Sequence, residues 1–287
     1  MCRYSFVSLT TQAALCFSYR FLNFETVKNP MGRVQSNWAG MQFPPDPQIQ
    51  RPRTPKRNQR MANFMLILFS LAVLPAMRGV VAVEFTVSNN AAGTTGGARF
   101  ERDIGAQYTL QTMNVSTEFI WRTFQQNVPS DRKTLQKVSL FVDDMDGVAY
   151  TVNDQIHVSA RYIQGYSGDV KREFTGVLYH EMTHVWQWSG NGQAPGGLIE
   201  GIADFVRLKA GYAPSHWVKP GQGDRWDQGY DVTARFLDYC NGLRSGFVAE
   251  LNKKMKSGYS NNYFVELLGK TVDQLWKDYK AKYGTAK

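Results

Sequence analysis

Apolar and polar residues alternate through Val83-Glu-Phe-Thr-Val-Ser88, and this period of two predicts a β-strand with one face in a core. Asn89 to Gly97 is made of small residues and reads as a loop. From Phe100 to Phe124 the apolar positions Ile104, Tyr108, Phe119, Ile120 and Phe124 predict mainly helix. Three short strands are then expected at Val138 to Val142, Val148 to Val152 and Gln155 to Ser159, with Asp143-Asp-Met-Asp-Gly147 as a turn. They predict a small antiparallel sheet just before a helix marked by Phe174, Val177, Leu178 and Val185. That helix is punctuated by Ser189-Gly190-Asn191-Gly192, and a second runs from Leu198 to Leu208 after a Pro195-Gly-Gly turn. Beyond Lys209 the pattern is mostly helical, with breaks at Pro214, Pro220 to Gly223, Gly242 and Ser257-Gly258. The expected class is α+β: a small mixed or antiparallel sheet packed on one helix, then a mainly helical C-terminal half.

The first 82 residues follow other rules. Residues 1–60 lack sustained periodicity and turn proline-rich and basic from Phe43 to Arg57, so they read as a disordered leader or a gene-model extension. At Met61 a new pattern begins: an apolar run from Phe64 to Leu74, Pro75, then Val80-Val-Ala82. About eleven apolar residues suit a signal-peptide core better than a membrane span. Translation is expected to start at Met61, with residues 61–82 a signal peptide cleaved after Ala82 and residues 83–287 the folded domain. The bland alternative is an uncleaved signal anchor.

Charge and cysteines narrow the partners. Of the 33 basic and 24 acidic residues, 10 and 2 fall in residues 1–82, so the remainder carries 23 against 22. The net +9 therefore sits mainly outside the expected domain and gives no ground for a nucleic-acid partner. Cys240 stands alone after Ala82, which excludes an internal disulfide there and a cysteine-rich zinc site. Asn114-Val-Ser116 is an N-glycosylation acceptor pattern, consistent with secretion.

The chemistry lies in His180-Glu-Met-Thr-His184. Histidines four apart on a helix share a face and can bind one Zn²⁺, and the glutamate after the first can act as a base on water. A catalytic zinc usually has three protein ligands. The best third candidate is Glu200, with Asp204 four residues on, placed to fix the tautomer of a zinc histidine. His216 and His157 are weaker third candidates. Glu181 would take the proton as water, made acidic by the metal, attacks a peptide carbonyl. Tyr212 and Tyr230 are candidates for stabilising the oxyanion, though each could equally be a core tyrosine.

From about Val83 to Lys280 the chain resembles the plant basic secretory proteins, a family of plants and bacteria classed among metallopeptidases. The resemblance rests on Gly176 to Trp188, Gly190-Asn-Gly192, Pro195 to Arg207 and Trp226 to Tyr239. It implies a zincin-like fold, one Zn²⁺ per chain held by His180, His184 and, less securely, Glu200, and Glu181 as catalytic base. It also implies an extracellular or cell-wall location and a link to plant defence. The nearly neutral domain departs from the family's "basic" name and argues against roles that need acidic polymers.

The leading expectation is a secreted, monomeric zinc endopeptidase acting on peptides or proteins, without nucleic-acid partners and without stable membrane insertion once the signal is removed. The competing reading is a catalytically silent defence or wall-binding protein that retains metal; a third is hydrolysis of another amide or ester. Trp186, Trp188 and Trp226 read as core before subsite. An extended substrate is expected to pair with an exposed edge of the Gln155–Ser159 strand.

Overall fold

The computed structural model describes residues 83–284, together with the backbone of Tyr4 and Ser5. Apart from Tyr4 and Ser5, the expected leader and signal peptide lie outside the described residues. In chain order the elements are strands β1 (Tyr4–Ser5), β2 (Glu84–Asn89), β3 (Lys137–Asp143), β4 (Ala149–Val152) and β5 (Gln155–Ser159). The helices are α1 (Thr95–Asp103), α2 (Ala106–Thr123), α3 (Ala160–Gly165), α4 (Val170–Trp186), α5 (Gly196–Lys209), α6 (Tyr230–Leu243), α7 (Phe247–Lys254), α8 (Asn262–Leu268) and α9 (Val272–Tyr283). This is an α+β fold with a small mixed sheet and a helical C-terminal half. No described helix is long and apolar enough to cross a membrane.

The strands alternate as their sequences require. Phe85 and Val87 of β2, and Val138, Leu140 and Val142 of β3, turn into the core, while Thr86, Ser139 and Phe141 face outward. Helices α2 and α4 add Met113, Ile120, Leu178, Met182 and Trp186 to the same core.

The pairing corrects the expected antiparallel sheet. Spatial order is β1-β2-β3-β5-β4, with β2, β3 and β5 mutually parallel and β4 antiparallel to β5. The tight turn decides this. Asn153 and Asp154 both adopt left-handed φ (48° and 59°), the geometry of a two-residue hairpin, and commit β4 to β5. The Asp143–Gly147 segment, which resembles a hairpin turn in sequence, instead carries the chain past the place that β5 fills. Strand β5 is therefore interior, and the expected substrate edge on Gln155–Ser159 does not exist; among the described residues the free edge on that side belongs to β4.

Two other expectations change at glycines. The small-residue loop ends early, because α1 begins at Thr95 with the Thr94 hydroxyl accepting from Gly97 N. Gly96 and Gly97 lie in the first turn of that helix, where only glycine fits because a Cβ would collide with the backbone of Ala160 and Ala91. The expected helix from Phe100 to Phe124 is broken between Asp103 and Ala106, where Gly105 takes φ 80°. After Lys209, residues 210–229 hold no helix before α6 begins.

Candidate functional site

Helix α4 presents the motif from the centre of the fold. The Asp169 side chain caps it by accepting from Arg172 N, and buried residues lie all round its axis. Helix α5 lies against it. Gly201 lets α5 approach α6, since a Cβ there would overlap the Thr233 side chain.

Across the α4–α5 contact, three of the expected residues come together. His180 Nε2 lies 3.0 Å from His184 Nε2 and 3.1 Å from Glu200 Oε2, and His184 Nε2 lies 3.5 Å from the same carboxylate oxygen. The donor atoms of these three residues all fall within 4.8 Å of one another. In tetrahedral coordination with bonds near 2.0–2.1 Å, neighbouring ligand atoms stand about 3.3 Å apart, so the spacing fits zinc.

The outer nitrogens explain why these atoms need a cation. Asp204 Oδ1 sits 2.7 Å from His180 Nδ1, and an ionised carboxylate can only accept, so Nδ1 carries the proton and Nε2 presents a lone pair. On the other ring, Gln187 Nε2 donates to Ile199 O at 3.0 Å, which turns Gln187 Oε1 toward His184 Nδ1 at 3.1 Å. His184 is thereby set in the same tautomer. Two imidazole lone pairs and a carboxylate oxygen then converge, an arrangement that only a proton or a metal satisfies. Without metal, the proton wins on His180. Burial disfavours its charge, but the hydrogen bonds to Asp204 and Glu200 and the nearby carboxylates outweigh that and raise it to about 10. Glu200 is likewise held below the ordinary carboxylate range, since its hydrogen bonds to both histidines overcome the opposing effect of burial.

Glu181 stands beside the trio, 4% exposed, and Thr151 Oγ1 of β4 donates to its Oε2 at 2.6 Å. Tyr230, the first residue of α6, is exposed at the cleft with its ring parallel to that of His180 at 6.1 Å. Its left-handed φ of 45° is unusual for a side chain of that size. All these residues line one cleft of about 860 Å³, walled on one side by the β4 edge and reaching Lys133 and Ser189 as well as Trp217 and Arg207.

Other sequence candidates lie elsewhere. Tyr212 packs on Tyr179 with Arg172 over its ring, and it does not line the cleft. His157 is 2.6 Å from Asp143 and stacked between Phe141 and Tyr150, outside the trio. His216 lines the cleft without joining the trio. Trp186 is fully buried, and Cys240 is buried with its thiol pushed up by desolvation. Asn114 is exposed on α2, whereas Ser116 of the same acceptor pattern is buried with its hydroxyl on Met113 O.

The structure adds Thr151, Gln187 and the ion pair of Arg207 with Glu173 (3.0 Å) to the residues the sequence points to. The His184-x-x-Gln187 spacing could have flagged Gln187 as a neighbour on one helix face; nothing local marks Thr151.

The profile of a family described as "Peptidase of plants and bacteria" matches residues 80–279. The chain belongs to this basic secretory protein family. Over 59 residues, 21% of this chain and 67% of the relative, it is 54% identical to a protein of Boswellia serrata named "Basic secretory protease". The family match spans every element from β2 to α8 and most of α9, so the whole cleft falls inside the peptidase-family region.

Proposed function

We propose that this member of the basic secretory protein family is a secreted, zinc-dependent metallopeptidase with a zincin-like active site, acting outside the cell in the apoplast or wall in a defensive role. The observation that carries the reading is the convergence of His180 Nε2, His184 Nε2 and Glu200 Oε2 on one point beside Glu181, in an open cleft. Support for secretion is the relative's name and the signal-like segment 61–82.

His180, His184 and Glu200 would hold the ion, and Asp204 and Gln187 would keep both rings in the ligating tautomer. Zinc in that position would supply Lewis acidity, polarising a peptide carbonyl and making water a better nucleophile at neutral pH. The chain's own groups do the rest. Glu181 accepts a proton from the attacking water and returns it to the leaving amine. The Thr151 hydroxyl steadies the Glu181 carboxylate and leaves its other oxygen for that traffic. Tyr230 can donate to the developing oxyanion; the charge of Glu200 foremost, then burial, raises its phenol, so it stays protonated at neutral pH.

The β4 edge offers an extended substrate its pairing groups. Ser159 N donates to Val148 O, and alternation along the ladder turns the N–H and C=O of Ala149 and Thr151 outward. Zinc content of the purified protein, followed by casein digestion with wild type and Glu181→Ala, tests the proposal. The expected result is bound zinc in both and cleavage lowered in the variant by about 10²–10⁴-fold. Zinc without cleavage in either protein would favour the silent binding protein.

A further inference from the structure

The cleft reaches two cationic side chains besides its histidines, and they are treated differently. Arg207 is neutralised by Glu173 at 3.0 Å and also donates to Tyr212 O. Lys133 is half-buried, yet its ammonium makes no ion pair or hydrogen bond among the described residues. Burial pushes it below the ordinary lysine value, and Asp154, acting through space, only partly offsets this. Lys133 Nζ stands 5.8 Å from the Trp188 ring, and Lys256 Nζ stands 5.2 Å from the same ring. Two ammonium groups thus approach one indole beside the cleft-lining Lys133, and among the described residues Lys256 donates only to Ser130 O at 3.3 Å. An incompletely solvated ammonium facing a cleft is a standing demand for an anion, and no carboxylate of the described residues lies within ion-pair distance of it.

We propose that Lys133 forms an acid-selective subsite, receiving an aspartate or glutamate side chain of a substrate bound in the cleft. Thr151, which donates to Glu181, and Asp154, whose charge reaches Lys133, belong to one β4–β5 hairpin, so the catalytic glutamate and the lysine flank the same short stretch of chain. Lys256, whose Nζ lies 5.2 Å from the same indole, reinforces the positive field. The inference rests on the peptidase reading and adds to it the class of peptide preferred.

The test is digestion of a proteome-derived peptide library by the zinc-loaded full protein, wild type against Lys133→Met and Lys133→Glu. Methionine keeps the apolar stem that packs in the cleft and removes only the charge. Wild type should enrich Asp and Glu about tenfold at one fixed position, as one charge-assisted contact allows. Lys133→Met should lose that enrichment while cutting neutral sites as before, and Lys133→Glu should shift it toward Lys and Arg. Melting temperature and zinc content should be unchanged in both. Cleavage without acid enrichment, or enrichment that survives Lys133→Met, overturns the subsite and leaves the peptidase reading standing. If nothing is cut, the peptidase reading falls, and fluorescence anisotropy with labelled hexapeptides differing only as Glu or Gln decides the subsite alone. Equal binding of the two by wild type rejects it; tighter binding of the Glu peptide, lost in Lys133→Met, supports it.

Discussion

Replacing Asp204 separates orientation from charge at the candidate metal centre. The residue is 3% exposed, and its Oδ1 lies 2.7 Å from His180 Nδ1. Asp204→Asn keeps an acceptor of the same shape and removes the negative charge; Asp204→Ala removes both. A partner on the outer nitrogen of a metal histidine is worth about 10–100-fold in affinity, or about 1.4–2.7 kcal/mol. The asparagine variant should therefore bind zinc about tenfold more weakly and the alanine variant about a hundredfold more weakly. Alanine also strands a buried N–H, at a cost of about 1–3 kcal/mol, so its metal-free form should melt lower. Competition against a chromophoric chelator near neutral pH gives the affinities, and thermal melts with and without chelator give the stabilities. Glu200→Ala sets the outer scale, because it deletes one of the three converging donors. If both Asp204 variants bind zinc as tightly as wild type while Glu200→Ala does not, the carboxylate supports only the fold, and the tautomer argument is refuted.

The metal-free protein should lose stability as pH rises. His180 is raised to about 10 from 6.5, so its contribution is full below pH 6.5 and disappears as pH passes through about 10; melts in chelator across that range should fall, and zinc should erase the trend by displacing the proton. A flat chelated profile would contradict the burial of a charged His180. Tyr230→Phe should lower kcat about 10–100-fold with KM little changed, since the phenol is asked to act only on the oxyanion; an equal rise in KM would assign it to substrate binding. Ala149→Pro should leave the β4–β5 ladder intact, because the Ala149 N–H faces the open edge. It should impair cleavage of long peptides more than of short ones, as kcat/KM across a length series would register. Unchanged kinetics in the folded variant would remove β4 as the substrate platform.

What the sequence disclosed divides by range of interaction. His180 with His184, and Glu200 with Asp204, are each four apart on one helix, so their shared faces follow from helical geometry alone. The positions of α4 and α5 are legible for the same reason. Thr151, by contrast, meets Glu181 only because β4 lies at the sheet edge beside α4, and that placement depends on β5 entering between β3 and β4. No local pattern encodes such a detour. By sequence Asp143–Gly147 reads as the hairpin turn, whereas the hairpin turn of the fold is Asn153-Asp154, and only the assembled sheet distinguishes them. Gly96 and Gly97 mislead for a related reason: by propensity they read as loop, yet they are glycines inside a helix because neighbouring backbone leaves no room for a side chain.

The same long-range packing bears on whether the site is catalytic or merely structural. A structural zinc site is closed by four protein ligands, whereas a catalytic one keeps a position free. Among the described residues three donors converge, and Glu181 and Tyr230 line the same cleft beside them. Glu181 is costly to bury there unless it has work: it gains the single Thr151 hydroxyl donation and stands next to other carboxylates. A fold that needed only a metal staple would be more stable with an uncharged residue at that position. The retained carboxylate, the open side of the trio and the edge strand beside it therefore favour hydrolysis over a silent metal site.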